Sequence, residues 1–580
     1  QLTQSYQMIF ILSLFLNLVT GLIWIEPSTD LDYHYNQNQG FQDEIGDTYT
    51  RLTPRAHGVI RDVVWSLSRN SASISIKFIT NSPHIKIQYE PETPFSFPMM
   101  NQLGTSGIDL YGYDEDGEMH FFAGSYSFGK TITFDFSEYN ESVIFSYLLI
   151  LPSYDVVKAK TLKFGIEDDS YFKILETELE RPIVLYGTSI MHGACPNRPG
   201  LSWVNWLSRD LQLPVYNFGF KGQGLLEPDV INFIIEQEAS AFVLDCLPNL
   251  VFENIDTVVN LTINSYNQIR AKWPETPIIF VEFGGYTNFE FNLQYRTYTQ
   301  NMNNATRVAR KKLEEQKATN VYYITYEDLG ITSDDISDPV HPMDNGMYKQ
   351  KNALEKVLRE ILNMPSASDS LPYSTQIPTV QHRNILFAER HQEILKKVIN
   401  ASKNAKGNWP SKAIIGDSIT DNWVTTGKNS WDKIMQPSGF INLGIGYDRI
   451  ENALYRIYHD EIYSNYIKPE KIVTLIGTNN IELNNQTEIV EGIRFLLKSI
   501  QVRQPDAKLV LLGILPRDGF EDVVKKINVE LKNVAGEEGW IFSDPGLKLL
   551  DESTGLVNQD LFTDGLHPNS DGYDIIAPLV

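Results

Sequence analysis

The stretch Ile414-Ile415-Gly416-Asp417-Ser418-Ile419-Thr420 joins an apolar run to a glycine and then to a serine where a helix can begin. It reads as a buried strand that delivers a hydroxyl to the first turn of a helix. Such a helix start offers unpaired backbone N–H groups and the positive end of the peptide dipoles, so an anion forming beside Ser418 would be stabilised there. The same order occurs earlier as Ile183-Val184-Leu185-Tyr186-Gly187-Thr188-Ser189-Ile190, which nominates Ser189. Strand-to-helix turns carry glycine and serine for structural reasons too, so partners elsewhere in the chain decide the matter.

Working outward, each serine heads a run of short apolar segments separated by helical stretches. In the first run these are Ile183 to Tyr186, Phe242-Val243-Leu244, Ile278 to Val281 and Val321 to Ile324. In the second they are Ala413-Ile414-Ile415, Phe440 to Leu443, Ile472 to Ile476 and Leu509 to Leu512. Continuous apolar strands alternating with helices predict a parallel sheet covered on both faces, here twice in tandem. Met364 to Gln381 is polar, proline-punctuated and without period, which reads as a linker. From about Asp47 to Thr177 the period is two: Ser73 to Phe78, Ile85 to Tyr89 and Thr131 to Phe136 alternate, punctuated by Asn81-Ser82-Pro83 and Asp114-Glu115-Asp116-Gly117. That pattern predicts a β-sandwich, with no acid, base or metal cluster standing out in it. The expected organisation is 1–24, a signal peptide or N-terminal anchor; 25–180, the sandwich; 181–363, the first α/β domain; 364–384, the linker; and 385–580, the second α/β domain.

A chain of 580 residues, 42% hydrophobic and 21% charged, has room for several such cores. Its formal charge of −24 argues against a nucleic-acid partner, since phosphate neutralisation needs clustered Lys and Arg. Met8 to Ile23 is nearly all apolar but short for a membrane span, so export is expected, to a secreted, periplasmic or cell-surface location, with no stable membrane insertion after signal removal. The absence of a positive charge before Met8 leaves a retained anchor as the alternative. Cys195 and Cys246 allow either one bridge in an oxidising compartment or two free buried thiols.

Acyl transfer to a serine needs a base for its proton, a group that orients the base, and donors aimed at the oxyanion. Asp564-Gly565-Leu566-His567-Pro568 places a carboxylate three residues before a histidine, and Asp338-Pro339-Val340-His341-Pro342 repeats it. Each motif follows its serine by roughly 150 residues, a coincidence that packing roles do not explain. His192 also lies near Ser189, but three residues along one helix it meets the hydroxyl at a poor angle, and a surface or substrate contact is expected of it. For oxyanion donors, Asn217 to Gly224 and Asn442 to Asp448 are glycine-rich turns after a strand, where backbone N–H groups can approach a ligand. Asn249 and Asn479 follow the next strands, at the ends where open α/β sheets bind ligands.

Serine, glycine, asparagine and D-x-x-H in this order resemble the SGNH (GDSL-type) hydrolases. The second unit, through GDSIT, NLGIGYD, GTNN, Gly513-Ile514-Leu515-Pro516 and DGLHPN, is similar to the branch related to the catalytic subunits of platelet-activating factor acetylhydrolase. The first, through GTSIMHGACPNRPG, NFGFKGQG, DCLPN and DPVHP, resembles a bacterial branch whose N-terminal β-domain carries G-x-D-L-Y, matched by Gly107 to Tyr111. The resemblance implies a multidomain protein, a jelly-roll-like β-sandwich followed by two flavodoxin-like α/β/α SGNH domains. It implies Ser189 and Ser418 as nucleophiles, His341 and His567 as bases, and Asp338 and Asp564 as orienting carboxylates. Gly222 and Asn249 would form the first oxyanion hole, Tyr447 and Asn479 the second. The family's glycine falls on Tyr447, whose backbone N–H serves unless the turn demands positive φ. Thr188 and Asn480 stand where aspartates are usual. The expected activity is hydrolysis of O-acyl esters, most of all acetyl groups on glycans, with no cofactor and no metal. A lipid-directed acetylhydrolase and a carbohydrate-binding protein with one or both sites inactive are the alternatives. No G-x-S-x-G elbow surrounds either serine, which disfavours the α/β-hydrolase fold.

Overall fold

The computed structural model describes residues 21–27, 41–42, 48–92, 96–114, 118–137, 145–175, 179–365, 371–381, 387–404 and 410–580. The expected signal segment lies outside the described residues apart from its last few positions, as do three residues of the Asp114–Gly117 turn. By compactness the chain forms two units, one with residues up to Tyr113, Met119–Glu178 and Pro182–Glu355, the other with Asp114–Glu118, Leu179–Arg181 and Lys356–Val580.

The first unit begins with two five-stranded antiparallel sheets. In sheet order one runs Leu22–Ile25, Lys163–Glu167, Ile85–Tyr89, Ile132–Phe136, Ser125–Ser127; the other runs Phe172–Ile174, Ser75–Thr80, Phe145–Ile150, Asp109–Tyr113, Met119–Phe122. Alternation does what it should: Ile85, Ile87 and Tyr89 are fully buried while Lys86 and Gln88 are partly exposed. Inner faces of both sheets feed one core, where Phe78 of one meets Phe164 of the other edge-on at 5.1 Å.

Behind the sandwich, five parallel strands order as Val215–Gly219, Ile183–Gly187, Ala241–Asp245, Ile278–Val281, Val321–Ile324. The second unit repeats the plan with Phe440–Gly444, Lys412–Gly416, Lys471–Leu475, Lys508–Leu512, Ile541–Ser543. Counted in chain order, both sheets run second, first, third, fourth, fifth, the flavodoxin-like order, whose switch point lies beside the first strand. Ile183 to Tyr186 are all at most 1% exposed, which is why these strands show no alternation. Each buried aliphatic there contributes about 1.5–3 kcal/mol relative to exposure. The fifth strand of the second sheet escapes sequence reading because Ile541 is exposed and the strand is only three residues long.

The G-x-D-L-Y motif has a structural task in the first unit. Asp109 Oδ2 accepts from the Arg198 guanidinium at 2.6 Å and from Gly200 N–H at 2.7 Å, while Tyr111 Oη accepts from Arg198 at 2.6 Å. Desolvation raises the Asp109 carboxyl despite Arg198, so the motif is a buried clasp between the sandwich and the loop that follows Ser189.

In the stretch expected to be a linker, residues 371–381 are packed onto the second domain. Thr375 is fully buried with its hydroxyl donating to Glu488 O at 2.7 Å, and Gln381 is buried at 6% exposure. Polar composition misled here because the segment is held by side-chain hydrogen bonds rather than by an apolar face. Cys195 and Cys246 are both free and buried.

Candidate active site

Each serine begins a single helical turn, Ser189–His192 and Ser418–Asp421, directly after the first strand of its sheet. The residue before it caps the turn: Asp417 accepts from Ile419 N–H at 2.9 Å, and Thr188 accepts from Ile190 N–H at a longer 3.4 Å. Thr188 thus keeps the cap without the charge. Burial pushes the Asp417 carboxyl up to about 7. Gly219 and Gly444, which end the second strands, let those turns approach, since a Cβ at either would lie 2.4 Å from the N of His192 or of Asp421.

Both D-x-x-H motifs close on their serines. Ser189 Oγ lies 2.7 Å from His341 Nε2, whose Nδ1 lies 2.7 Å from Asp338 Oδ2. Ser418 Oγ lies 2.9 Å from His567 Nε2, whose Nδ1 lies 2.7 Å from Asp564 Oδ2. A carboxylate can only accept, so Nδ1 carries the proton and Nε2 presents its lone pair to the hydroxyl. The other carboxylate oxygen accepts the amides of the loop itself: Val340 at 2.8 Å and His341 at 2.7 Å, Leu566 at 3.0 Å and His567 at 2.7 Å. Three-residue spacing is what permits this closed loop. Desolvation works to raise Asp338, but the bonds from His341 and Val340 outweigh it and hold the carboxyl down at about 2; Asp564 is lowered by the same contacts.

A carboxyl held down in this way stays ionised through the working range, and its contribution to stability is present above the unfolded value of about 4 and lost as pH falls through about 2. Asp338→Asn, made in a Ser418→Ala background, is expected to lower kcat on the order of a thousandfold with little change in KM, because an amide NH2 against Nδ1 favours the wrong imidazole tautomer. Steady-state kinetics on an aryl ester checks it.

The loops expected to hold an oxyanion are tied to the nucleophile turns by matching bonds. Phe220 N–H donates to Gly187 O at 3.0 Å and Ile445 N–H to Gly416 O at 3.1 Å. Asn217 and Asn442 each brace their own loop, accepting from Gly219 or Gly444 N–H at 2.8 Å and donating to Met191 O at 2.9 Å or Thr420 O at 2.6 Å. Asn249 Oδ1 accepts from Gly224 N–H at 3.1 Å, and Gly224 is pressed against Gly187 and Thr188. That fixes Asn249 beside the first site with its NH2 free for a ligand. Asn479 Nδ2 donates to Asp448 O at 2.9 Å, which leaves one amide hydrogen. Asn480, in place of an aspartate, accepts from Ile450 N–H at 3.0 Å and anchors the start of the helix Ile450–Tyr458.

Gly222 has φ +67° and Tyr447 φ +66°. The turn does demand the left-handed region, and Tyr447 adopts it at a cost of about 1 kcal/mol. The backbone donor is therefore carried in the same conformation, with the tyrosine ring 61% exposed. In a Ser189→Ala background, Tyr447→Gly is expected to keep kcat for a small ester within about threefold, since glycine suits the turn. Tyr447→Pro, which lacks the N–H and cannot take this φ, is expected to lower kcat about a hundredfold.

Two buried arginines hold these loops from below, and sequence reading found neither. Arg51, from the N-terminal domain, donates to Asn217 O at 3.0 Å and Gly219 O at 2.7 Å through Nη1, to Asn70 O at 2.9 Å and to Leu67 O at 2.7 Å. Burial pushes it down to about 9, still cationic at neutral pH. In the second domain Arg456 donates to Leu443 O at 2.9 Å and Gly416 O at 3.3 Å and pairs with Asp448 and Glu461. Gln381 adds bonds to Gly446 O at 2.9 Å and Asp448 Oδ1 at 2.6 Å. No local motif marks these contacts: Arg51 and Gln381 reach residues far along the chain, and Arg456 meets Asp448 and Glu461, 8 and 5 residues away, at no spacing that signals a site. His192 is a correction: it is buried at 1% exposure and stacked on Tyr154 at 4.2 Å, because the close approach of Gly219 turns that helix face into the core.

Comparison with known proteins agrees with this duplication. Two models, each described as the GDSL-like lipase/acylhydrolase family, match residues 180–359 and 414–575, and a model of the N-terminus of SGNH-hydrolase-type esterases, GxDLY, matches residues 22–172. The human platelet-activating factor acetylhydrolase IB subunit alpha2 is 30% identical over 184 residues, 30% of this chain and 77% of that protein. Human subunit alpha1 is 27% identical over 173 residues, 30% of this chain and 70% of its own. Among solved structures, a GDSL-like lipase candidate from Bacteroides ovatus superposes with a TM-score of 0.54 at 27% identity, covering 60% of this chain and 100% of its own. The chain therefore belongs to the GDSL-like lipase/acylhydrolase, or SGNH, family of ester hydrolases, and carries the family's domain twice behind a GxDLY-type N-terminal domain.

Proposed function

We propose that this chain is an exported serine esterase that removes O-acetyl groups from carbohydrate at two sites. The observation that carries the reading is the unbroken relay from Ser Oγ through imidazole to carboxylate in both domains. Ser189 or Ser418 attacks the acyl carbon and its proton passes to Nε2 of His341 or His567. Asp338 or Asp564 holds the imidazolium. The oxyanion takes the serine's own N–H with Gly222 and Asn249 in the first site, and with Tyr447 and Asn479 in the second. The imidazolium then gives its proton to the leaving alkoxide, and water, deprotonated by the same imidazole, hydrolyses the acyl-serine to acetate.

Several features support a large hydrophilic leaving group. Asp564 and His567 side chains are 52% and 24% exposed, and the Tyr447 ring stands free to lie against a sugar face. The net charge of −24 disfavours polyanionic substrates. In the sandwich each sheet pairs strands distant in sequence, and a jelly-roll reading of it, a fold shared with lectin domains, is support by analogy alone. A lipid reading has its own support in the relatives named platelet-activating factor acetylhydrolase; among the described residues no helix is long and apolar enough to cross a membrane. The reading is tested by incubating the protein with acetylated polysaccharides and, separately, with an sn-2-acetyl phospholipid, and following acetate release. Release from polysaccharide at least tenfold faster is expected; the opposite preference would overturn the carbohydrate assignment.

A further inference from the structure

The two triads are alike, but a thiol stands beside the first and none beside the second. Cys195 lies in the loop after Ser189, buried at 8% exposure and held at φ +75°. Its Sγ, an oxygen of Asp338 and a ring nitrogen of His341 all lie within 4.8 Å of one another. Ser337, next to Asp338, hydrogen-bonds the thiol. Met99 and Met100 pack against the cluster that Cys195 forms with Tyr154 and Ala194. The second domain contains no cysteine at all, the other thiol being Cys246 in the first, whose Sγ donates to Tyr186 O at 3.5 Å.

We infer that Cys195, Asp338 and His341 form an inhibitory site for a thiophilic divalent cation of the zinc or cadmium class, one that silences the first active site and leaves the second untouched. Thiolate, imidazole and carboxylate are the donor set such ions prefer, and water would complete the tetrahedron. With metal–ligand bonds of about 2.0–2.3 Å, the ligand atoms of a tetrahedron sit about 3.3–3.8 Å apart. Side-chain rotation of about 1 Å therefore brings the three together. On binding, the thiol loses its proton to solvent and no bond to carbon changes. The ion blocks catalysis through either imidazole nitrogen. At Nε2 it occupies the lone pair that would take the serine proton; at Nδ1 it displaces the Asp338 bond and fixes the proton on Nε2, which can then only donate to Ser189.

The test uses the full chain in metal-free buffer. Zinc added to the Ser418→Ala variant, which reports the first site, is expected to suppress aryl acetate hydrolysis about tenfold or more, with recovery on adding EDTA. The Ser189→Ala variant, reporting the second site, is expected to keep its rate at the same zinc concentration. Cys195→Ser in the Ser418→Ala background is expected to retain basal activity and lose the sensitivity. A reading independent of activity is the cadmium–thiolate absorption in the near ultraviolet, expected to saturate at one equivalent and to vanish in Cys195→Ser. Equal inhibition of both single-site variants, or a cadmium titration unchanged by Cys195→Ser, would overturn the proposal. Neither result bears on the carbohydrate assignment, because the inference rests on the triad and not on the substrate.

Discussion

Replacing Ser189 and Ser418 together with alanine is expected to lower hydrolysis of a small aryl acetate by about a thousandfold or more while the protein stays folded. Both serines stand at the start of a helical turn, where alanine suits the helix, and the caps belong to Thr188 and Asp417, so the fold loses little. The residual rate would come from the oxyanion donors and binding, which act without a nucleophile. The single replacements partition the activity, and each is expected to leave the other domain's share intact because the sites share no residue. Removing His341 or His567 in place of the serine is expected to cost about as much, since the groups of a triad act as a unit and their losses do not add.

The second large effect concerns stability. Arg456 is fully buried, with its guanidinium bonded to Asp448 at 2.8 Å and to Glu461, both at most 2% exposed, and to two strand-end carbonyls. Arg456→Met strands Asp448 without a cation in the core and leaves Glu461 to its other partner, the His391 imidazole at 2.7 Å, which is expected to destabilise the second domain by about 3–5 kcal/mol. For a domain near 200 residues that corresponds to a fall in its calorimetric transition of roughly 6–20 °C. Adding Asp448→Asn should recover part of the loss by removing the stranded charge. Arg51→Met has a different profile, because Arg51 serves carbonyls and not carboxylates. Its loss is expected to fall on kcat of the first site through misplacement of the 217–224 loop, about ten- to a hundredfold.

The contrast between these arginines and the triads explains what could be read from the sequence. Asp338 and His341 are legible together because their contact closes within three residues, through amides of the same loop. Asn217 and Asn442 repeat as N-x-G for the same reason. The parallel sheets follow from buried runs alternating with helices, their flavodoxin-like order from the family resemblance, and the sandwich from its period of two. Arg51 and Gln381 are illegible because each reaches its loop across a long stretch of chain, and nothing in their own neighbourhood differs from an ordinary polar segment. Tyr447 shows the limit of reading by residue type: glycine is the usual occupant of a left-handed turn, yet the backbone keeps its geometry when tyrosine pays the strain. His192 misled in the opposite direction, since a polar residue near a nucleophile invites a functional reading while the approach of Gly219 makes that face core.

The central claim is that both domains hold a nucleophilic serine activated by its own histidine. Labelling the full-length protein with a fluorophosphonate, followed by peptide mass mapping, tests it most directly. Covalent modification of Ser189 and of Ser418 is expected, the first lost on replacing His341 with alanine and the second on replacing His567; folded protein in which one or both serines stay unlabelled would contradict the account.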